Sequence, residues 1–130
     1  MRQKKALFVD DDVEYLLKLI NIVEPLGFDC KVMSDSQQAS EVLSRERFDV
    51  LVTDIAMPGM NGYEVIRRLR SLDAQTFVIA ISGQEDENVE SKAIKNGANA
   101  FFHKPLELEI FLKTLSVFLN GKNNGGDLMP

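Results

Sequence analysis

Short apolar runs alternate along the chain with longer stretches in which apolar residues recur every three or four positions. The short runs predict β-strands, and the longer stretches predict amphipathic helices. Five such pairs follow one another. This alternation is typical of repeated βα units whose strands lie side by side in a parallel sheet. The pattern therefore predicts an α/β fold.

The strand runs differ in how completely apolar they are. Residues 6–9, 50–52 and 77–81 are almost entirely apolar, which predicts strands covered on both faces in the interior of the sheet. In residues 28–32, apolar and polar positions alternate with a period of two, which favours an edge strand with one wetter side. A short fifth strand is predicted at residues 100–103.

Five helices are predicted between and after the strands. Asp12 can cap the first, which ends near Pro25 and Gly27 and has apolar residues at positions 13, 16, 17, 20 and 23. The second opens at residues 34–36, the fourth ends at Gly97, and the fifth has its apolar positions between 108 and 119. The third places its arginines on the outer face, at positions 67, 68 and 70.

Length and composition narrow the class of protein. With 130 residues, 45% of them hydrophobic, the chain supports one core, and we assign residues 4–120 to one domain and 121–130 to a disordered tail or truncated linker. The net charge of −5 and the scattered basic residues argue against direct nucleic-acid binding. A lone Cys30 and the lack of any run of roughly 20 apolar residues predict a cytoplasmic protein that does not enter a membrane.

Polar residues with chemical potential follow four of the predicted strands. Asp10, Asp11 and Asp12 come after the first, Asp54 after the third, Ser82 after the fourth and Lys104 after the fifth. In a parallel sheet the carboxyl ends of the strands share one edge, where ligands bind. These side chains are therefore expected to meet in one pocket.

Several carboxylates in one pocket raise each other's pKa unless a cation neutralises them. Oxygen ligands alone indicate a hard ion, and Mg²⁺ suits a site that has few carboxylates and is open to water and phosphate. The ammonium of Lys104 and the hydroxyl of Ser82 are suited to contact phosphoryl oxygens, and a carboxylate can act as the nucleophile. The pocket is thus predicted to support phosphoryl transfer.

Four motifs resemble the receiver domain of bacterial response regulators over roughly residues 4–120. They are FVDDD at 8–12, TDIAMPGMNGYE at 53–64, AISG at 80–83 and HKP at 103–105. Each motif alone is weak, but their order and spacing together are specific. The resemblance implies a doubly wound (βα)5 flavodoxin-like sandwich with a parallel sheet in the order 2-1-3-4-5.

The resemblance also implies a role for each site residue. Asp54 is the expected phosphoacceptor and Asp11 a direct Mg²⁺ ligand, while Asp10 binds the ion largely through water and Asp12 stays outside the site as a helix cap. The resemblance further implies that the Ala56 carbonyl ligates the metal and that Ser82 and Lys104 contact the phosphoryl oxygens. It also implies a cis peptide bond between Lys104 and Pro105. Phe101 is the expected aromatic switch residue, coupled to Ser82. Because Phe101 has no hydroxyl, a tyrosine-type hydrogen bond cannot fix its inward position.

In function, the resemblance implies a signalling domain and not an enzyme, apart from self-catalysed phosphorylation and dephosphorylation of the aspartate. A histidine kinase or phosphotransfer protein is the expected donor. The signal would pass through the face formed by helix 4, strand 5 and helix 5 to an output domain or partner protein. Whether the domain dimerises stays open, although residues 97–100 lack the acidic groups common in dimerising winged-helix regulators.

Two alternatives remain from the residues themselves. Asp10-Asp11-Asp12-Val13 also fits the start of haloacid-dehalogenase-like phosphatases, but these enzymes need an acidic pair beyond the lysine. After Lys104 the chain offers only Glu107, Glu109 and Asp127, none of them at the end of another predicted strand. The second alternative is a pseudo-receiver that only binds protein, which the full set of acceptor-site residue types disfavours.

Overall fold

The computed structural model of the protein describes residues 3–57, 59–73 and 75–121, with side chains described as far as residue 119. These residues form a five-stranded parallel sheet in the order β2-β1-β3-β4-β5. The strands are β1 (Lys4–Val9), β2 (Phe28–Met33), β3 (Val50–Asp54), β4 (Phe77–Ser82) and β5 (Ala100–His103). The predicted fold class and strand order are confirmed. The predicted tail lies almost wholly outside the described residues.

Five helices connect and follow the strands: α1 (Val13–Val23), α2 (Ser36–Arg45), α3 (Gly62–Leu72), α4 (Val89–Asn96) and α5 (Leu108–Gly121). Asp12 caps α1 by accepting a hydrogen bond from the Tyr15 amide at 3.2 Å, as predicted. Asp35 and Asn61 cap α2 and α3 in the same way. Within the described ranges, no helix combines the length and apolar character needed to cross a membrane.

An apolar layer lies on each face of the sheet. One contains residues of α2, α3 and α4, and the other contains residues of α1 and α5. Leu17 and Ile94 follow the helical period but are 47% and 45% exposed. A helix packed on a sheet buries only the side chains that face the strands. Fewer side chains face the strands than there are apolar positions at the helical period, so some apolar residues stay exposed.

Arg70 corrects the prediction for the outer face of α3. It is half-buried instead of solvated, and its guanidinium donates to the carbonyl oxygen of Gly97 at 2.9 Å and to that of Thr76 at 2.7 Å. A third bond reaches Asn99 Oδ1 at 2.7 Å. The side chain therefore joins α3 to the end of α4 and to the residues that directly precede β4 and β5, which sequence periodicity does not indicate.

We expect Arg70→Met to lower the free energy of unfolding by about 1–2 kcal/mol, because three acceptors lose a charged donor while the aliphatic stem is kept. Arg68→Met is the matched control on the same helix, since Arg68 is exposed and makes only a 3.4 Å contact to Glu64. That control should change stability by less than about 0.5 kcal/mol. Urea denaturation of both variants measures the difference, and equal losses would contradict the bridging function of Arg70.

Candidate functional site

The register of the sheet brings the predicted site residues to one edge. Asp10 directly follows β1, Asp54 and Ser82 are the last residues of β3 and β4, and Lys104 directly follows β5. The apolar pattern predicts that these two strands end earlier, at residues 52 and 81. The strands continue because Asp54 pairs with Ile81 and Ser82 with His103 in the parallel ladder, and this pairing fixes the backbone beneath both side chains.

Three carboxyl groups form a cluster at this edge. Asp10, Asp11 and Asp54 each present an oxygen, and these oxygens all lie within 4.8 Å of one another. Asp10 and Asp54 are buried, Asp54 being only 4% exposed, whereas Asp11 is exposed. The cluster therefore has two carboxyls screened from solvent and one at its open side.

Lys104 is the cation that faces the cluster. Its ammonium nitrogen lies 2.6 Å from Asp10 Oδ2 and 3.6 Å from Asp54 Oδ1. The other oxygen of Asp10 accepts a hydrogen bond from the Asp12 amide at 3.0 Å. Both oxygens of Asp10 are therefore engaged by the protein, whereas the ion pair of Asp54 within the described residues is the longer contact to Lys104.

Burial governs the ionisation of these groups. It raises the pKa of Asp54 to about 6, helped by the charge of Asp10 and opposed by Lys104. Burial also raises the pKa of Asp10, against the hydrogen bond from Lys104 and the one from the Asp12 amide. For Lys104, burial acts to lower the pKa, but the hydrogen bond to Asp10 and the charge of Asp54 outweigh it and raise the pKa overall. One lysine thus leaves the carboxylates only partly compensated.

The donor set fits a hard divalent cation. The clustered groups offer carboxylate oxygens alone, with no nitrogen or sulfur ligand among them, and carboxylates together with water are what Mg²⁺ prefers. Burial, and for Asp54 also the charge of Asp10, raises the pKa of these carboxyls, and a bound cation would oppose both effects. Both observations fit the predicted metal.

Ser82 is fully buried, and its hydroxyl oxygen accepts a hydrogen bond from the Gln84 amide at 3.0 Å. In the described part of the chain, the hydroxyl proton has no acceptor among the recorded hydrogen bonds. The Lys104 amide donates to the Ser82 carbonyl oxygen at 2.8 Å, so the two predicted phosphoryl contacts are held together by backbone. Ser82 keeps one donor available at the pocket.

The remaining predicted features are also placed. Ala56 is exposed and lines an open cleft with Met57, Asn61 and Gln84. The Lys104–Pro105 peptide bond is cis. The two described acidic residues after Lys104 lie at α5, Glu107 just before it and Glu109 in its first turn. Neither stands at the end of a strand, so the acidic pair required by the phosphatase alternative is not formed by them.

Phe101 and Phe102 occupy opposite faces of β5. Phe101 is half-buried against the layer of α2, α3 and α4, and its ring meets His103 edge-on at 4.9 Å between centroids. Phe102 packs against the layer of α1 and α5 and meets Phe111 edge-on at 5.7 Å. Both rings are only partly buried, so Phe102 lies at the margin of its apolar layer and is not one of the fully buried core residues. The switch at Phe101 stays a prediction.

Two residues at the site are not among those predicted from sequence. The ring of Tyr15 lies beside Lys104, with 5.0 Å from the ammonium nitrogen to the ring centroid. Helical side chains point toward the amino terminus of their helix. A side chain in the first turn of α1 can therefore cover the pocket next to the start of that helix. Gly62 begins α3 and donates its amide hydrogen to the Ile55 carbonyl at 2.8 Å, directly behind Asp54.

Known proteins are similar in sequence to this chain over most of its length. The sporulation initiation phosphotransferase F of Bacillus subtilis is 29% identical over 126 residues, which cover 95% of this chain and all of that protein. The sensor histidine kinase RcsC of Salmonella typhimurium is 29% identical over 112 residues, 86% of this chain. This chain spans only 12% of the length of that kinase, so the likeness concerns one of its domains.

A solved structure and a family model agree with these relatives. The beryllofluoride-activated receiver domain of DrrB from Thermotoga maritima superimposes with a TM-score of 0.83 at 28% identity, covering 92% of this chain and 99% of that one. The model of the response regulator receiver domain matches residues 6–116, which include every strand end that carries a site residue. With fold, pocket and family match in accord, the chain belongs to the response regulator receiver domain family of two-component signalling.

Proposed function

We propose that the protein accepts a phosphoryl group on Asp54 and relays a signal through the change that follows. One observation carries this proposal: the buried Asp54 carboxyl lies within 4.8 Å of carboxylate oxygens of Asp10 and Asp11 and 3.6 Å from the ammonium of Lys104. The arrangement offers a nucleophile together with a cation for the incoming phosphoryl oxygens. Residues 4–120 are proposed to act as one receiver domain.

In the proposed step, one oxygen of Asp54 attacks the phosphorus of a phosphohistidine on a histidine kinase or phosphotransfer protein. The new oxygen–phosphorus bond forms as the phosphorus–nitrogen bond breaks, and the imidazole leaves with the electron pair and takes a proton from solvent. Attack needs the ionised carboxyl, and Lys104 favours that form at this buried position. Small phosphodonors such as acetyl phosphate can react in the same way.

The carboxylates of Asp11 and Asp54 and the carbonyl of Ala56 are proposed to hold Mg²⁺, which when bound neutralises charge on the transferring phosphoryl oxygens. The engagement of both Asp10 oxygens by Lys104 and the Asp12 amide supports contact through water for that residue. Asp11 is exposed at the open side of the cluster, and no ion pair to a lysine or arginine holds it in the described part of the chain, which suits direct contact.

After transfer, Lys104 and the free donor of Ser82 are proposed to bind the phosphoryl oxygens. Drawing Ser82 toward the phosphoryl group opens space on the α4 side of the sheet, into which Phe101 can turn from its half-buried position. The α4–β5–α5 face would then have two arrangements, one of which meets the downstream partner or output domain. We propose a cytoplasmic setting, without direct nucleic-acid contact by this domain.

The test is a labelling reaction with site mapping. Wild type incubated with acetyl phosphate and Mg²⁺ is expected to gain one phosphoryl group, and borohydride reduction followed by peptide mass spectrometry should place it on Asp54. Chelation of the metal is expected to slow labelling by more than about tenfold. Asp12→Asn serves as the control, because Asp12 caps α1 outside the pocket and asparagine caps equally well, so this variant should label like wild type. Labelling at another residue, or none, would refute the proposal.

A further inference from the structure

The ammonium of Lys104 has a neighbour that the proposed chemistry does not use. Besides Asp10 at 2.6 Å and Asp54 at 3.6 Å, it lies 5.0 Å from the centre of the Tyr15 ring. An ammonium within about 6 Å of a ring face is attracted by the negative charge of that face, more strongly where water is partly excluded. The Lys104 side chain is only 24% exposed, so the contact is partly screened from solvent.

The hydroxyl of Tyr15 lies near the backbone of Leu106 and within reach of the charge of Lys104, and burial raises its pKa. The hydroxyl oxygen is buried, and it forms no hydrogen bond of ordinary geometry with the described residues. A buried hydroxyl without a partner is a cost to folding. The contact of the ring with the ammonium is the one that a distance defines, at 5.0 Å, and it is present whether or not the hydroxyl is retained.

Tyr15 also has a packing function, which must be separated from any effect on Lys104. The ring is half-buried against the apolar layer of α1 and α5, near Leu106 in the segment that follows Lys104. Its backbone amide donates to Asp12, which fixes the residue in the first turn of α1. A purely structural residue at this position would matter for stability but not for where the ammonium lies.

We propose that Tyr15 is a positioning residue, whose ring holds the Lys104 ammonium beside Asp54. This inference rests on the proposed function and deepens it. The ammonium is bound by Asp10 and also contacts the Tyr15 ring. It can therefore exchange its bond to Asp10 for one to a phosphoryl oxygen on Asp54 while it keeps its contact with the ring. Without the ring, water gains access and the long side chain samples more rotamers.

Two substitutions separate the ring from the hydroxyl. Tyr15→Phe keeps the ring face and removes only the hydroxyl, so labelling by acetyl phosphate should stay within about twofold of wild type. Tyr15→Leu keeps apolar packing but removes the ring, and the initial labelling rate should fall about three- to tenfold. Circular dichroism establishes that both variants are folded. Equal rates for all three proteins, or equal losses in both variants, would overturn the proposal.

A spectroscopic readout is independent of phosphorylation. The ε-protons of Lys104 should resonate upfield of ordinary lysine ε-protons in wild type and Tyr15→Phe, because they lie over an aromatic face, and this displacement should vanish in Tyr15→Leu. Ordinary shifts in wild type would refute the contact. If wild type took no label but showed the displaced signals, the proposed function would fail while the placement of Lys104 by Tyr15 stood.

A double-mutant comparison shows whether Tyr15 acts through Lys104. In a Lys104→Met background, which labels more slowly, adding Tyr15→Leu should change the rate less than twofold, because there is no ammonium left to position. A further loss as large as the one in the wild-type background would mean that the ring acts otherwise, and would overturn the proposal.

Discussion

Asp54→Asn is expected to abolish phosphoryl acceptance and, in the same protein, to raise the free energy of unfolding by about 1–2 kcal/mol in metal-free buffer at neutral pH. The amide cannot form the acyl phosphate, so labelling should be lost. The gain in stability follows from burial, which raises the pKa of Asp54 to about 6 from an ordinary value of 3.8. At neutral pH, where the unfolded carboxyl is ionised at little cost, that difference corresponds to about 3 kcal/mol against folding.

Part of this gain is offset, because asparagine does not pair with the Lys104 ammonium. The loss is limited, since Lys104 keeps its 2.6 Å bond to Asp10 and the contact to Asp54 is the longer one, at 3.6 Å. Urea denaturation in the presence of a chelator measures the balance. Asp12→Asn, the control, should leave stability within about 0.5 kcal/mol and leave labelling intact. A destabilised Asp54→Asn would mean that the Lys104 contact outweighs the burial of the charge.

Asp54 is a polar residue at a buried position, and this property makes the site predictable from the sequence. Polar residues directly after apolar strands conflict with burial, and such conflicts concentrate at functional sites. The sequence therefore predicts that Asp54, Ser82 and Lys104 lie at one edge of the sheet, because the carboxyl ends of parallel strands lie side by side. In the fold the ammonium of Lys104 lies 3.6 Å from Asp54 and its amide donates to the Ser82 carbonyl oxygen at 2.8 Å, while the chemical roles of these residues stay proposals.

What the sequence did not predict depends on the packing of one element against another. Arg70 occupies an apparently solvated position of α3, yet its guanidinium donates to Gly97 and Asn99, which lie 27 and 29 residues further along the chain. Tyr15 is one aromatic residue in an amphipathic helix, and only the tertiary fold brings its ring to Lys104. Periodicity reports which side of a helix is apolar, and it carries no information on which polar groups a long side chain will reach.

Position 62 requires glycine for a reason that helix propensity alone does not predict. As the first residue of α3 it reads as an ordinary helix start, where alanine is the better helix former by about 1 kcal/mol in a helix interior. In the fold, a Cβ atom there would lie 2.2 Å from the Asp54 carbonyl oxygen and 2.8 Å from the Ile55 Cα. Both are backbone atoms at the end of β3 and cannot turn aside as a flexible side chain could.

Gly62→Ala is therefore expected to lower the free energy of unfolding by at least about 2 kcal/mol, despite the helix preference of alanine. The methyl group must push the start of α3 away from β3, breaking the 2.8 Å bond from the Gly62 amide to Ile55 and shifting the backbone of Asp54. Gly83→Ala is the matched control at the same edge, where the added Cβ meets only the Lys104 side chain, at 3.9 Å. Thermal and urea denaturation should show a loss below about 0.5 kcal/mol for that control. If both alanine variants were equally stable, the close approach of α3 to β3 would not be what requires glycine at position 62.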